Sequence, residues 1–492
     1  MLEQYLEDYV NDLYEKQNNG SCLEQQGLYT KKEYFELLKP VIELISNYKD
    51  YSIDELRNKL YENSQIEENL TDFIYKKEMV PGMVFSYGTK NYKETVIVGN
   101  RQEVSLNEQG KIVPDLEQMT EDTIFDLASV TKVFTSISLL KLVQDGVIRL
   151  NDTVVKYAPQ FKHLNDVTIY DLMTFGVPLK TNGRVDRASS REEAEQVLFG
   201  IEKDLEFTNT RPYTDMGAMV LKYVIESASG MNYYHFVEEN ILKKLNMKDT
   251  HVVVPKMKLD RVSSTNLDGK YYKDGNFAIT TNAPKGIVYD PKAQIMGQKD
   301  GVLSGHAGMF STANDMTNLA KGIISGKVIN EEYVEMMAKN RTGRKYIEDD
   351  KEKYIQYLGM LCYSKNPILA DSELFHAMSG KSFASAGWTG TQLTVDPINE
   401  LYFFMAANRS HNRMTFIDPA QRDKVEVNEN GKKTILLPNG DVKIDATRFA
   451  WDRDAAIVHP ALKLTIQYKM LEDTYTLVNG IELKSKENVK QL

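Results

Sequence analysis

Apolar positions along this chain change their period several times, and each change predicts an element. Over residues 1 to 65, apolar and tyrosine side chains recur at helical spacing among many charges, as at Tyr34, Leu37, Leu38 and Val41, which predicts an appended helical segment without a catalytic pattern. A further helix begins at Ile66 and leads to Pro81-Gly82. Two strand-like runs follow, Met83 to Tyr87 and Thr95 to Val98, separated by a turn around Gly88-Thr89-Lys90-Asn91, and together they predict a β-hairpin. Val133, Phe134, Ile137 and Leu140 then return to the helical period and the pattern stops near Gly146, as in a buried helix.

From there to about residue 330 the pattern is helical or irregular. Strand signals return at Gln392 to Val395, which alternates into Asp396-Pro397, and in the continuous apolar run Leu401 to Ala406. Sheet at both ends with helices between predicts an α/β (α+β) domain over residues 66 to 411: the first and last strands share one antiparallel sheet flanked by helices, and a mainly helical lobe is inserted into it. Between residues 412 and 446, Pro419, Asn430-Gly431 and Pro438-Asn439-Gly440 are turn signals flanking short strands, and Ala455 to Leu471 reads as a last helix. Residues 412 to 492 are therefore expected to complete the domain as a hairpin-like insertion and a C-terminal helix. No internal repeat or low-complexity tract stands out.

Composition narrows the function. At 492 residues the chain exceeds the size of one simple core. Its net charge of −10, from 60 basic and 70 acidic residues mixed along the sequence, argues against nucleic acid and for a small-molecule or peptide substrate. The two cysteines, Cys22 and Cys362, have neither disulfide-framework nor metal-ligand spacing. No cofactor or metal is expected. The acidic, amphipathic start Met1-Leu2-Glu3-Gln4-Tyr5-Leu6 lacks the basic start and apolar run of a signal peptide, and no window is apolar enough to span a bilayer. A cytoplasmic protein with no membrane partner is the expectation.

The candidate chemistry begins at Ser129-Val130-Thr131-Lys132. A serine hydroxyl needs a neighbour to take its proton, and a partly desolvated lysine serves; positions i and i+3 of a helix share a face, so Ser129 and Lys132 can meet. The tetrapeptide pattern occurs twice more, at Ser46 to Lys49 and Ser138 to Lys141. Pro212-Tyr213-Thr214-Asp215 precedes a helix carrying Met219, Val220, Val224 and Ile225; a tyrosine beside a lysine loses its proton more readily, because the cation favours phenolate, so Tyr213 is a candidate general base and acid. Near the late hairpin, Ser385-Ala386-Gly387-Trp388 places small residues before a strand, where glycine admits close approach and a strand edge offers amides to an oxyanion.

These three elements, in this order, resemble the penicillin-recognising serine hydrolases of the β-lactamase and transpeptidase fold, in particular the class C β-lactamase branch with its low-molecular-mass penicillin-binding proteins, D-amino-acid peptidases and esterases. The resemblance extends over Leu142 to Asp152, Glu226 to Gly230, Leu245 to Thr250 and Gly305 to Ala313, and covers about residues 66 to 411. It implies Ser129 as the acylated nucleophile, Lys132 as its proton partner and Tyr213 as the second base. It also implies an oxyanion hole from the Ser129 and Trp388 amides. Asp215 stands where many members carry asparagine, and would anchor Lys132. Context separates the decoys: Ser46 lies in the appended segment and Ser138 two and a half turns along the nucleophile's own helix.

Two departures limit the resemblance. The family's lysine or histidine, threonine and glycine become Ser385-Ala386-Gly387, which removes a cation and a hydroxyl that help bind a substrate carboxylate. Lys381 cannot stand in, since four residues along a strand span roughly 13 Å. Thr174-Phe175-Gly176 replaces a histidine-containing turn. Among other signals, His306 reads as a loop-ordering residue, no histidine spacing suggests a metallo-hydrolase, and Gly380-Lys381-Ser382 fails as a phosphate loop because Phe375 stands where its first glycine belongs. Asn69-Leu70-Thr71 and Asn408-Arg409-Ser410 are glycosylation sequons by pattern only. The expectation is a serine hydrolase acting through an acyl-enzyme on an ester, amide or D-amino-acid peptide, true β-lactamase activity being disfavoured. The alternative is a catalytically weak or silent relative that binds a peptide or cell-wall fragment.

Overall fold

A computed structural model describes residues 2–17, 29–206, 213–280, 283–339, 341, 345–348, 351–354, 357–365, 373–480 and 485–492. Its centre is a sheet whose strands run, from one edge to the other, Tyr363–Ser364, Phe383–Ala386, Gln392–Asp396, Leu401–Ala407, Gly82–Thr89, Tyr92–Leu106 and Lys486–Gln491, with Ile112–Gln118 paired to the far end of Tyr92–Leu106. Strands from both ends of the hydrolase region meet here. Phe85 lies opposite Val96 on one side and Met405 on the other, both pairings antiparallel.

Period-two alternation sorts the side chains between two cores. Val84, Ile97, Phe383, Leu393, Val395 and Phe404 face the helical lobe. Met83, Phe85, Tyr87, Val96, Phe403 and Met405 face the N-terminal helices and the long helix His459–Asn479. Cover on both faces is why Leu401 to Ala406 reads as an unbroken apolar run instead of an alternating one.

The helices Leu2–Lys16, Lys31–Asn47 and Ile53–Glu62 lie in that second layer. Capping boxes start two of them, Thr30 with Glu33 and Ser52 with Glu55, each meeting two otherwise unpaired backbone amides. Tyr34, Leu38 and Val41 are fully buried there, and Arg57 reaches Glu472 of the long helix at 2.7 Å.

Two pairings lay outside the reach of periodicity. Lys486–Gln491 runs parallel to Tyr92–Leu106, Ile97 opposite Gln491, so the sheet is not antiparallel throughout. Its polar sequence suits an edge strand and carries no apolar signal. The short strands after residue 412 do form, as Arg413–Ile417, Val425–Val427, Lys433–Leu436 and Val442–Asp445, but they join Gly269–Tyr271 and Phe277–Ile279 in one small sheet. No helix among the described residues is long and apolar enough to cross a membrane.

Candidate active site

Ser129 sits in a single 3-10 turn, Ala128–Val130, that runs into the buried helix Thr131–Gln144. Ala128 is held at φ +45°, a conformation costly for a residue with a Cβ. Its surroundings enforce it. The Ala128 amide donates to Asp126 Oδ1 at 2.9 Å, the Leu127 amide to the Met309 carbonyl at 2.9 Å, and the hydroxyls of Thr389 and Thr391 donate to the carbonyls of Asp126 and Leu127 at 2.7 and 2.9 Å. Burial pushes the Asp126 carboxyl up to about 6, against the amides of Tyr289 and Ala128, which favour its charge.

Lys132 is buried one turn on, and its Nζ has three partners: Ser129 Oγ at 2.9 Å, Asp215 Oδ1 at 2.8 Å and the His306 carbonyl at 3.2 Å. Three acceptors match the three hydrogens of an ammonium. Burial opposes that charge, but the Asp215 carboxylate, followed by Tyr213, outweighs it and holds the lysine above its ordinary value. Burial likewise opposes charge on Asp215, and Lys132, His306 and Lys292 together hold its carboxyl well below the usual range. Asp215 is the N-cap residue of Met216–Ser229, an end that favours negative charge.

The Tyr213 ring lies 4.9 Å from Lys132 Nζ and is stacked between Phe175 and Tyr363, with centroids at 5.1 and 5.7 Å. Phe175 reaches it from φ +55°. The altered turn Thr174-Phe175-Gly176 thus supplies one wall of the site.

The strand Phe383–Ala386, second from the sheet edge, closes the other side. Ser385 Oγ donates to the Ser129 carbonyl at 3.4 Å, Ala386 pairs with Gln392 in the ladder, and the Gly387 amide donates to the Thr391 carbonyl at 2.8 Å. A Cβ on Gly387 would lie 2.6 Å from the Leu127 carbonyl and 2.2 Å from Thr391 Oγ1, so only glycine lets this strand end reach the nucleophile turn. Among the described residues, neither the Ser129 nor the Trp388 amide donates to a backbone carbonyl. Trp388 is 42% exposed, with the Arg409 guanidinium 4.6 Å from the centre of its ring. Lys381 pairs with Glu335 at 2.9 Å.

The family model described as Beta-lactamase matches residues 77–426. The chain belongs to the beta-lactamase family. It is a serine hydrolase of that family, with the mixed fold of helices and largely antiparallel sheet. A putative D-alanyl-D-alanine carboxypeptidase of Salmonella typhi is 31% identical over 317 residues, 60% of this chain and 71% of the relative. Among solved structures, a simvastatin synthase mutant from Aspergillus terreus aligns with TM-score 0.50 at 15% identity, over 73% of this chain and 91% of its own. An octameric penicillin-binding protein homologue from Pyrococcus abyssi aligns at 0.48 and 19%, over 70% and 73%.

Within this beta-lactamase-family site the structure adds residues that sequence reasoning passed over. Lys292 Nζ lies 3.1 Å from Asp215 Oδ2 and 3.3 Å from Asp290 Oδ2, and Asp290 Oδ1 meets His306 Nε2 at 2.9 Å. His306 is buried, its Nδ1 beside Ser304 Oγ at 3.2 Å, so it orders a loop whose carbonyl reaches Lys132. Asp290-Pro291 carries a helix-start signature, and Asp290 does cap Pro291–Ile295. That signal marks an element and nothing about Ser129. Tyr363, on the edge strand, carries no local signal at all. The decoy serines stay apart, Ser46 in an N-terminal helix and Ser138 inside Thr131–Gln144.

Proposed function

We propose that this enzyme hydrolyses an ester or amide through an acyl-enzyme on Ser129. The observation that carries the reading is the 2.9 Å contact of Lys132 Nζ with Ser129 Oγ inside a fixed, charge-paired setting. In the first half-reaction Ser129 Oγ bonds to the substrate carbonyl carbon while its proton passes to the Tyr213 oxygen and on to the departing oxygen or nitrogen. Negative charge on the former carbonyl oxygen is met by the Ser129 and Trp388 amides. In the second, water attacks the acyl carbon, Tyr213 takes its proton, the acid leaves, and Ser129 Oγ regains a hydrogen. Lys132, whose three hydrogens already have acceptors, contributes fixed positive charge throughout in place of the proton-accepting role expected from the sequence.

The relative's name, D-alanyl-D-alanine carboxypeptidase, makes a D-amino-acid peptide the natural first substrate to try. The third motif favours a neutral group beyond the scissile bond: Ser385-Ala386-Gly387 offers no cation, Lys381 is held by Glu335, and Arg409 is buried behind Trp388 with a hydrogen bond to its carbonyl at 3.2 Å. A D-alanyl-D-alanine peptide and the same peptide ending in a carboxamide test this directly. The amide is expected to react at least as fast as the acid; strong preference for the acid would overturn the reading of the motif. For the mechanism itself, a fluorophosphonate probe is expected to leave a covalent adduct on Ser129 by mass spectrometry. A Ser129→Ala enzyme that hydrolyses esters like the wild type would refute it.

A further inference from the structure

Asp215 uses its two oxygens on two different lysines. Oδ1 takes Lys132 and Oδ2 takes Lys292. Lys292 also reaches Asp290, Asp290 meets the His306 ring, and the His306 carbonyl accepts from Lys132. The contacts close into a ring that starts and ends on the lysine beside Ser129. Two ammonium groups and two carboxylates alternate along it. The ring is also fixed to the nucleophile turn, because Asp126 accepts from the amides of both Ala128 and Tyr289, the residue before Asp290.

We propose that Lys292 is a positioning residue for acylation of Ser129: by engaging Oδ2 of Asp215 it commits Oδ1 to Lys132 and keeps that ammonium aimed at Ser129 Oγ. This role rests on the acyl-enzyme reading above. Without Lys292, Asp215 and Asp290 face one another across a site with Lys132 as its one remaining ammonium, and like charges at short range disfavour joint ionisation. Asp215 then either turns Oδ1 away from Lys132 or takes up a proton, and Lys132 loses its anchor. The groups facing Lys292 are Asp215 from the helix Met216–Ser229, Asp290 from its own turn, His306 behind Asp290, and Asp186 farther off, which is itself paired with Arg184. Both carboxylates at its head are held low partly by Lys292, so removing it moves their protonation to higher pH.

The test follows the rate at which a fluorophosphonate probe labels the full-length protein across pH, for wild type, Ser129→Ala, Lys292→Met and Lys292→Arg, with circular dichroism to establish that each is folded. Lys292→Met is expected to label about tenfold or more slowly, the worth of one charge-assisted hydrogen bond, with the acid limb moved to higher pH. Lys292→Arg is expected to restore both, since a guanidinium also bridges two carboxylates. Wild-type labelling by Lys292→Met overturns the proposal while leaving Ser129 as nucleophile. So does a slow Lys292→Met whose acid limb is unmoved and which arginine does not rescue, since that outcome marks Lys292 as merely structural. Absence of labelling in wild type overturns the acyl-enzyme reading, and the role of Lys292 with it.

Discussion

At the scale of single residues, the site depends on atoms that have no freedom to move. Gly387 is one: an added methyl would sit against the Leu127 carbonyl and Thr391 Oγ1, and both groups are tied together by the hydrogen bond that holds the nucleophile turn. Gly387→Ala is therefore expected to destabilise the fold by about 1 to 3 kcal/mol, the range of an overpacked site, and to reduce labelling of Ser129 by pushing the strand end off the turn. Denaturant unfolding and probe kinetics read the two effects separately. Asp215 is another, because it carries the charge opposite Lys132. Asp215→Asn keeps the shape and removes the charge, and loss of an ionic hydrogen bond of about 1.5 to 3 kcal/mol predicts a fall in the acylation rate of roughly 10- to 150-fold. An asparagine enzyme with the wild-type rate would show that shape alone suffices there.

Among elements, the edge strand Tyr363–Ser364 is followed by a buried lysine that ties two layers together. Lys365 Nζ donates to the Gln17 carbonyl, at the end of the first helix, at 3.2 Å, and to the Met378 carbonyl, ahead of the third-motif strand, at 2.6 Å. Burial draws its pKa down to about 7, with Asp396 partly offsetting the effect, whereas an unfolded lysine titrates at about 10.4. Between these values the unfolded chain holds a proton that the folded one lacks, so this residue makes stability rise with pH. Urea unfolding from pH 7 to 9 is expected to show a steeper rise for wild type than for Lys365→Met; parallel curves would refute it. This lysine marks the limit of what periodicity reveals. The hairpin Gly82–Leu106, the nucleophile helix and the late strands were legible because each repeats an apolar pattern over many residues. Ser129, Lys132, Tyr213 and Asp215 were legible as ordered motifs, and they do converge. Lys292, Asp290 and Tyr363 were not, since each reaches the site by a crossing of distant segments, where a single polar or aromatic residue leaves no period to read.

For the whole molecule, the question is whether the hydrolase region folds without residues 1 to 65. The sheet has two apolar faces, and the face away from Ser129 is covered jointly by the three N-terminal helices and by His459–Asn479. Phe85, Tyr87, Phe403 and Met405 lie in that layer and are fully buried. Burial of one such side chain contributes about 1.5 to 3 kcal/mol, comparable to a sizeable fraction of a domain's net stability. The same truncation removes Arg57 from Glu472, whose carboxyl burial already pushes up and Arg57 helps to keep charged; stripping one partner from a buried pair costs about 3 to 5 kcal/mol. It also removes the Lys16 carbonyl that accepts the Gly380 amide at 2.8 Å, just before the strand carrying Ser385. We expect a chain starting at residue 66 to aggregate, or to melt far below the full-length protein and label poorly at Ser129. A truncated protein that stays monomeric, melts at the full-length temperature and labels at the full-length rate would mean that the first 65 residues are a separable appendage and that the second core is complete without them.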